Sequence, residues 1–130
     1  MKREASCSCG QLRLTTHEAP VRISVCHCLA CQRRTGSVFG AQARYSKEAV
    51  EISGTSRVYL RIGDTGKRIH FHFCPECGAT VHYVVEGRED LIAVPVGAFA
   101  DSEFPAPTTS IFERRQHPWV RLPEDMEHTH

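Results

Sequence analysis

The chain has 130 residues, of which 41% are hydrophobic and 24% charged, and its formal net charge is +1 at pH 7. This length suits one domain over residues 1–130 with a modest core, and the charge gives no reason to expect nucleic acid or a membrane surface as a partner. No apolar run approaches the roughly 18 residues of a membrane span, and the start "MKREASCSCGQLRL" is not a secretory signal, so we expect a cytoplasmic protein.

Alternation of apolar and polar residues dominates the chain and predicts β-strands rather than helices. In chain order, the alternating stretches are QLRLTT, VRISVC, VFGAQARY, RVYLRI, KRIHFHFC, ATVHYVV, LIAVPV and TTSIFERR. The turn residues GDTG join RVYLRI to KRIHFHFC, which predicts a hairpin. The pattern places Val58, Leu60 and Ile62 together on one apolar face.

Helix signals are confined to two short segments. SKEAVE predicts one turn starting at Ser46, and a second turn follows Cys28 and ends near Gly36. These patterns predict a mainly β domain of about eight short strands, with antiparallel sheets packed face to face. Near the end of the chain, ERRQHPW predicts a strand edge with Trp119 in the core, and residues 122–130 predict a frayed polar tail.

Seven cysteines dominate the chemistry of the sequence. They form three clusters: Cys7 and Cys9 in CSC; Cys26, Cys28 and Cys31 in CHCLAC; Cys74 and Cys77 in CPECG. Thiols of the cytosol are kept reduced, so clustered cysteines there indicate metal binding or catalysis more often than disulfides. An odd number also prevents complete pairing within one chain.

The CPECG segment is typical of a zinc knuckle, which supplies two of the four ligands that structural zinc needs. In one grouping, CSC completes the site, so that Cys7, Cys9, Cys74 and Cys77 hold a structural zinc. In the other, CPECG borrows two cysteines from CHCLAC, and CSC stays loose. We favour the first grouping, because it fills one site and ties the N-terminus to the middle of a small domain.

The first grouping leaves Cys26, Cys28 and Cys31 as a local triad. Three protein ligands and an exchangeable fourth position are the arrangement of catalytic zinc. The alternatives are a labile metal store, an empty thiol cluster, or a structural site completed by a distant histidine. His27 lies between two of these cysteines, but in extended backbone its side chain points away from theirs.

The motifs around these cysteines resemble those of a known family. They are Cys7-x-Cys9-Gly10, Cys26-His27-Cys28-x-x-Cys31, Thr35-Gly36-Ser37-x-Phe39, Phe73-Cys74-x-x-Cys77-Gly78, VPVGAFAD and the late Trp119. Together they are similar to the glutathione-dependent formaldehyde-activating enzyme family, whose superfamily includes centromere protein V.

This resemblance implies a β-tent fold, like that of a zinc-binding Rab exchange-factor chaperone. It also implies one structural zinc on Cys7, Cys9, Cys74 and Cys77, and one loosely held catalytic zinc on Cys26, Cys28 and Cys31. The implied reaction is that of a carbon–sulfur lyase, in which glutathione as co-substrate adds to formaldehyde to give S-hydroxymethylglutathione. The rival hypotheses are a non-catalytic zinc module that binds a protein partner and a thiol or zinc redox sensor.

Residues next to the triad are further candidates. Arg33 and Arg34 follow Cys31 and would either lie in a solvated turn or grip a substrate carboxylate such as those of glutathione. Gln32 and Ser37 are candidates for hydrogen bonds near the site. His70, His72 and His82 alternate with apolar residues and are weak candidates for a fourth ligand or a proton carrier.

Overall fold

A computed structural model describes residues 1–130 as two β-sheets and one α-helix. The smaller sheet has the strand order β1-β2-β5, in which β1 is Arg3–Ser6, β2 is Arg13–Thr16 and β5 is Val50–Ser53. Both of its strand pairs are antiparallel. The single α-helix, α1, spans Leu29–Thr35 and follows directly from the Cys26–Cys28 segment.

The larger sheet contains eight strands in the order β11-β10-β3-β4-β9-β8-β7-β6. Its strands are β3 (Arg22–Cys26), β4 (Gly40–Ser46), β6 (Arg57–Ile62), β7 (Arg68–Phe73), β8 (Thr80–Val85), β9 (Leu91–Pro95), β10 (Thr109–Ile111) and β11 (Glu127–His128). Three short 3₁₀ turns cover Lys47–Ala49, Val96–Phe99 and Glu113–Arg115.

The predicted mainly β class is confirmed, and so are the local features that were predicted from turn residues. The hairpin between β6 and β7 closes through GDTG, where Gly66 adopts φ 85° and its N–H donates to the Gly63 carbonyl oxygen at 2.9 Å. The turn after Ser46 and the helix between Cys28 and Gly36 are both present. Gly36 ends the helix in the left-handed region at φ 71°, a conformation that favours glycine.

The structure has more strands than the sequence indicated, and not all of its strand pairs are antiparallel. There are eleven strands rather than about eight, because β1, β5 and β11 have only two to four residues and are too short to show alternation. Strand β10 also pairs in parallel with β3 and with β11. The long connections that precede β10 and β11 make this parallel pairing feasible.

Two expectations for the C-terminal region are corrected by the structure. Trp119 is 67% exposed rather than in the core, and Glu113–Arg115 form a 3₁₀ turn instead of a strand edge. The segment 122–130 is docked rather than frayed, since it contains β11 and the buried side chain of Met126. Its backbone pairs with β10, and the Thr129 N–H donates to the Ser110 carbonyl oxygen at 2.8 Å.

The main core lies between the two sheets. It joins Leu12 and Leu14, which are fully buried around β2, to Tyr45 of β4 and Val94 of β9 in the larger sheet. Full burial of large apolar side chains contributes about 1.5–3 kcal/mol each to the free energy of unfolding. The apolar face predicted for Val58, Leu60 and Ile62 is instead 45–57% exposed, because β6 is the edge strand and nothing covers it.

The opposite face of the larger sheet carries a second set of side chains. Opposed residues in a sheet share a face, which places Ser24 with Gln42, Arg44 with Ala93, and Tyr83 with both Ala93 and Phe71. A small cluster of Phe71, Tyr83 and Ala93 is buried there. Because side chains alternate along each strand, the residues of this face do not belong to the main core.

No helix in the structure has the length and apolarity needed to span a membrane.

His82 lies buried on β8, where its ring stacks on that of His72 at a centroid distance of 4.3 Å. Neither ring nitrogen of His82 has a hydrogen-bond partner. Burial, and then the neighbouring His72, lower the pKa of His82 to about 4. The unfolded chain therefore takes up a proton first, near pH 6.5, so the stability from neutral His82 is full above that pH and declines towards pH 4.

We expect His82→Leu to reduce the loss of stability between pH 7 and pH 4 by about 2 kcal/mol relative to the wild type. The measurement is the free energy of unfolding by urea at both pH values, at matched zinc content. Thr80→Val is the control, since it changes a side chain on the same strand without removing a titratable group. Equal pH dependence in all three proteins would contradict the assignment.

Candidate zinc sites and active-site cavity

Four cysteine sulfurs meet where two loops come together. The Sγ atoms of Cys7, Cys9, Cys74 and Cys77 all lie within 4.8 Å of one another. The Cys9 Sγ is 3.7 Å from the Sγ of Cys7 and 3.7 Å from that of Cys74. Tetrahedral zinc with Zn–S bonds of about 2.3 Å separates its sulfurs by about 3.8 Å, so this donor set fits a zinc ion.

Each loop exposes backbone N–H groups to the sulfurs by turning through a glycine. Gly10 and Gly78 adopt φ 85° and 82°, and the Gly78 N–H donates to the Cys74 carbonyl oxygen at 2.8 Å. The Leu12 N–H donates to the Cys7 Sγ at 3.3 Å, and the Glu76 N–H to the Cys74 Sγ at 3.4 Å. Such donors stabilise thiolates, which are the form that binds zinc.

Gln11 joins this cysteine group to the loop before β6. Its Nε2 donates to the Cys74 Sγ at 3.0 Å and to the Thr55 carbonyl oxygen at 2.6 Å. Burial raises the pKa of Cys74, but the Gln11 side chain and the N–H groups of Cys77 and Glu76 outweigh it and bring the pKa to about 6. For Cys9, the N–H of Gln11 lowers the pKa, whereas burial and the neighbouring thiols raise it to about 11.

The remaining three cysteines form a separate triad. The Sγ atoms of Cys26, Cys28 and Cys31 also lie within 4.8 Å of one another. Cys26 ends β3, Cys28 caps the N-terminus of α1, and Cys31 lies in its first turn, so that the Cys31 N–H donates to the Cys28 Sγ at 3.4 Å. The structure therefore groups the seven cysteines as four and three, which is the first of the two groupings considered.

No histidine joins the triad. His27 is fully buried and turned away, with its Nε2 3.0 Å from the Ser110 Oγ. His70, His72 and His82 lie on β7 and β8 and belong to neither cysteine group. The triad thus offers three protein ligands, a donor set that fits zinc with an open fourth position.

One thiolate is favoured within the triad. The hydrogen bond from the Cys26 thiol lowers the pKa of Cys31 to about 5, with Arg34 adding to the effect and burial opposing it. The same hydrogen bond, together with burial, raises the pKa of Cys26. These interactions favour the thiolate at Cys31, beside the Arg34 guanidinium.

The triad opens into a cavity of about 430 Å³, whereas the four-cysteine group does not line it. Apolar lining comes from Leu29, Ile62, Ile69, Phe71, Tyr83, Val85, Ile111 and Phe112. Polar lining comes from Gln42, Asp64, Thr65 and five arginines, Arg34, Arg44, Arg61, Arg114 and Arg115. This volume is within the range of small-molecule sites.

The two arginines predicted from the sequence have different surroundings. Arg34 lines the cavity, and its guanidinium carbon lies 5.3 Å from the ring centroids of both Phe71 and Tyr83. Arg33 is exposed and does not line the cavity, but lies in a neighbouring groove with Tyr59 and Phe73.

Gln32 and Ser37, the candidates for hydrogen bonds near the triad, also have different surroundings. The Nε2 of Gln32 donates to the carbonyl oxygens of His27 and Arg115 at 2.9 and 3.2 Å, which fastens α1 to the C-terminal segment. Ser37 is exposed and does not line the cavity.

Sequence reasoning missed most of the polar cavity wall. Arg44 and Arg61 come from β4 and β6, and Arg114 and Arg115 from a 3₁₀ turn far along the chain. The one available signal was the polar alternation of Gln42 and Arg44 on β4, which marked a polar face of that strand. GDTG was explained as a hairpin turn, and its Asp64 and Thr65 also line the cavity.

Comparison with known proteins shows the fold of this chain and its family. A comparison with curated proteins found no match. A crystal structure of a Rhodobacter sphaeroides protein is similar, with a TM-score of 0.57 and 18% identity over 78% of this chain and 90% of that chain. At that identity the likeness shows the fold alone. The profile of the family described as glutathione-dependent formaldehyde-activating enzyme matches residues 2–115. The chain therefore belongs to the glutathione-dependent formaldehyde-activating enzyme family.

Proposed function

We propose that this protein is a zinc-dependent carbon–sulfur lyase-type enzyme that acts on the adduct of a thiol and an aldehyde. The leading reaction is the addition of glutathione to formaldehyde to give S-hydroxymethylglutathione. Membership of the family supports this reaction in general terms. The observation that carries the proposal is the contrast between the cysteine groups. Cys26, Cys28 and Cys31 open into a cavity of about 430 Å³, whereas the four-cysteine group lies outside it.

The two groups would hold zinc in different roles. Cys7, Cys9, Cys74 and Cys77 would bind a structural ion, because four thiolates fill a tetrahedral shell. Cys26, Cys28 and Cys31 would bind a second, labile ion with one open position. Bound there, zinc supplies a positive charge that stabilises the thiolate form of a substrate thiol and polarises a carbonyl oxygen.

The overall reaction is balanced without a redox partner. The sulfur electron pair of the thiol attacks the aldehyde carbon, the C=O electron pair moves to oxygen, and the thiol proton ends on that oxygen. The chain contributes a preorganised cavity in which Phe71 and Tyr83 exclude water from one side. Three thiolates around a divalent ion leave an excess negative charge, and Arg34 beside Cys31 offsets it.

The arginines of α1 would serve the substrate differently. Arg34 lines the cavity and would contact bound substrate directly. Arg33 lies in the neighbouring groove and would reach only a substrate group that projects out of the cavity. We place the whole activity in one domain, residues 1–130, and in a reducing compartment such as the cytoplasm, where clustered cysteines stay reduced and can bind metal.

One observation favours a second role as a protein-interaction module. The edge strand β6 exposes Val58, Tyr59, Leu60 and Ile62 by 45–61%. An apolar edge strand of this kind is suited to contact with another protein. This role predicts that Cys28→Ser leaves partner binding intact, whereas the enzymatic role predicts the loss of activity.

Zinc analysis tests the two roles of the cysteine groups. We expect wild-type protein to retain one zinc ion after mild chelation and to lose another, because the triad holds its ion with fewer ligands. Cys28→Ser should lose only the labile ion and stay folded, whereas Cys74→Ser should lower the melting temperature markedly. The measurement is metal content by mass spectrometry with thermal unfolding. A single tightly bound ion, with Cys26, Cys28 and Cys31 titrating as free thiols, would count against the proposal.

Exchange NMR tests the reaction itself. In a mixture of formaldehyde and glutathione, we expect wild-type protein to raise the rate of adduct exchange above the spontaneous rate. Cys28→Ser should return the rate to the spontaneous value, because it removes one of the three sulfurs at the cavity. Ser37→Ala is the control, since Ser37 is exposed outside the cavity and its loss should leave the rate unchanged. Equal rates for wild type and Cys28→Ser would rule out the proposed activity.

A further inference from the structure

Strand β6 leaves one whole edge of the larger sheet without a partner. It stands last in the strand order and pairs with β7 on one side only. The Gly63 N–H donates to the Lys67 carbonyl oxygen at 2.8 Å, and from that pair the backbone groups of an antiparallel strand alternate between its two sides. The N–H and carbonyl groups of Val58, Leu60 and Ile62 therefore point away from β7, at the open edge.

The edge also lacks the features that usually prevent strands from pairing. The strand RVYLRI contains no proline, and its register with β7 is unbroken from Arg57 to Ile62. The side chains of Val58, Leu60 and Ile62 are 45–57% exposed on one face, and Tyr59 is 61% exposed on the other. Free backbone groups beside exposed apolar side chains form a template for an incoming strand.

The sequence of β6 is complementary to itself in one antiparallel register. In a pair of identical strands related by a twofold axis, residues that lie opposite each other share a face of the sheet. With the axis at Leu60, Val58 lies opposite Ile62 of the second copy, and Leu60 lies opposite Leu60 of the second copy. The six apolar side chains would then cover one another in a continuous strip.

The other face of the strand is complementary in the same register. There Tyr59 lies opposite Arg61 of the second copy, and Arg61 lies opposite Tyr59 of the second copy. A guanidinium group over a tyrosine ring makes a favourable cation–π contact. The Arg61 guanidinium carbon already lies 4.9 Å from the Phe71 ring centroid, and the second copy would add another aromatic ring beside it.

Charge disfavours the neighbouring registers. An axis at Tyr59 would set Arg57 opposite Arg61 of the second copy, and an axis at Arg61 would set two Arg61 side chains against each other. Like charges directly opposite are destabilising, and axes further along the strand pair fewer of its residues. The favoured register instead sets Arg57 opposite Gly63 of the second copy, next to the carboxylate of Asp64.

We propose that β6 is a self-association surface, at which a second copy of this chain pairs antiparallel about a twofold axis at Leu60. This inference rests on the interaction role proposed above for β6 and names its partner, but it does not depend on the carbon–sulfur reaction. Because Arg61 and Ile62 also line the triad cavity, the second copy would bring its Tyr59 to the cavity rim. A six-residue edge buries little area, so the dimer should dissociate on dilution.

Sedimentation velocity over a concentration series tests the surface, under reducing conditions that prevent disulfide-linked dimers. We expect a monomer–dimer equilibrium for the wild type. Leu60→Lys sets two ammonium groups against each other at the axis, so it should raise the dissociation constant about tenfold or more. Ile52→Lys is the matched control, because Ile52 is 43% exposed on β5, an edge strand of the smaller sheet, and its replacement should leave the equilibrium unchanged.

Two variants of Tyr59 test the register. Tyr59→Glu places a carboxylate opposite Arg61 of the second copy and should lower the dissociation constant, with a gain that higher salt reduces. Tyr59→Arg opposes two guanidinium groups and should raise the constant. In a register with its axis at Tyr59, two glutamates would oppose each other, so a weaker dimer for Tyr59→Glu overturns the axis at Leu60. Circular dichroism and zinc content verify that each variant is folded.

The outcomes separate this surface from the proposed reaction. A dimer that Leu60→Lys weakens, in a protein without adduct exchange, supports the surface and counts against the reaction. Adduct exchange by a protein that stays monomeric at every concentration overturns the surface and supports the reaction, since the triad and its cavity lie within one chain. Equal dimerisation by wild type and Leu60→Lys, or equal weakening by Ile52→Lys, overturns the surface. Open-ended oligomers overturn it too, because they indicate head-to-tail pairing of β6 with the other sheet edge, β11.

Discussion

The convergence of four sulfurs is the constraint on which the rest of the molecule depends. Cys7 and Cys9 follow the first strand of the smaller sheet, and Cys74 and Cys77 follow β7 of the larger one. The four sulfurs lie within 4.8 Å of one another, a spacing that fits tetrahedral zinc. A zinc ion held by these sulfurs would link the two sheets, in a domain whose core has only a modest number of buried side chains.

The larger sheet separates stability from chemistry by its two faces. One face packs Tyr45 and Val94 against the smaller sheet, and the other presents Gln42 and Arg44 towards the triad cavity. Strand alternation makes this division automatic, since neighbouring residues point to opposite sides. The polar face can therefore hold unpaired arginines and a buried amide oxygen, while the core face remains apolar.

Much of the local structure was predictable from short-range rules. The knuckle glycines, the GDTG hairpin and the helix between Cys28 and Gly36 follow from turn chemistry that a few residues specify. The prediction failed where burial depends on distant partners. Trp119 is the more obvious core candidate in the sequence, yet it is exposed. Met126 is buried, because β11 docks the C-terminal segment beside β10. Likewise, β6 has an alternating pattern but lies at an uncovered edge.

The order of residues alone specifies three local cysteine clusters, because ligands separated by one or two residues are close in any fold. It leaves two groupings of those clusters, and the tertiary structure brings Cys7 and Cys9 to Cys74 and Cys77. The order of residues also specifies the family, through motifs that surround those cysteines. The cavity wall is different. Its arginines come from α1, β4, β6 and a late 3₁₀ turn, and in the sequence their charge is balanced by acidic residues elsewhere. Only folding separates those charges in space, and so only the tertiary structure reveals a strongly cationic site in a nearly neutral chain.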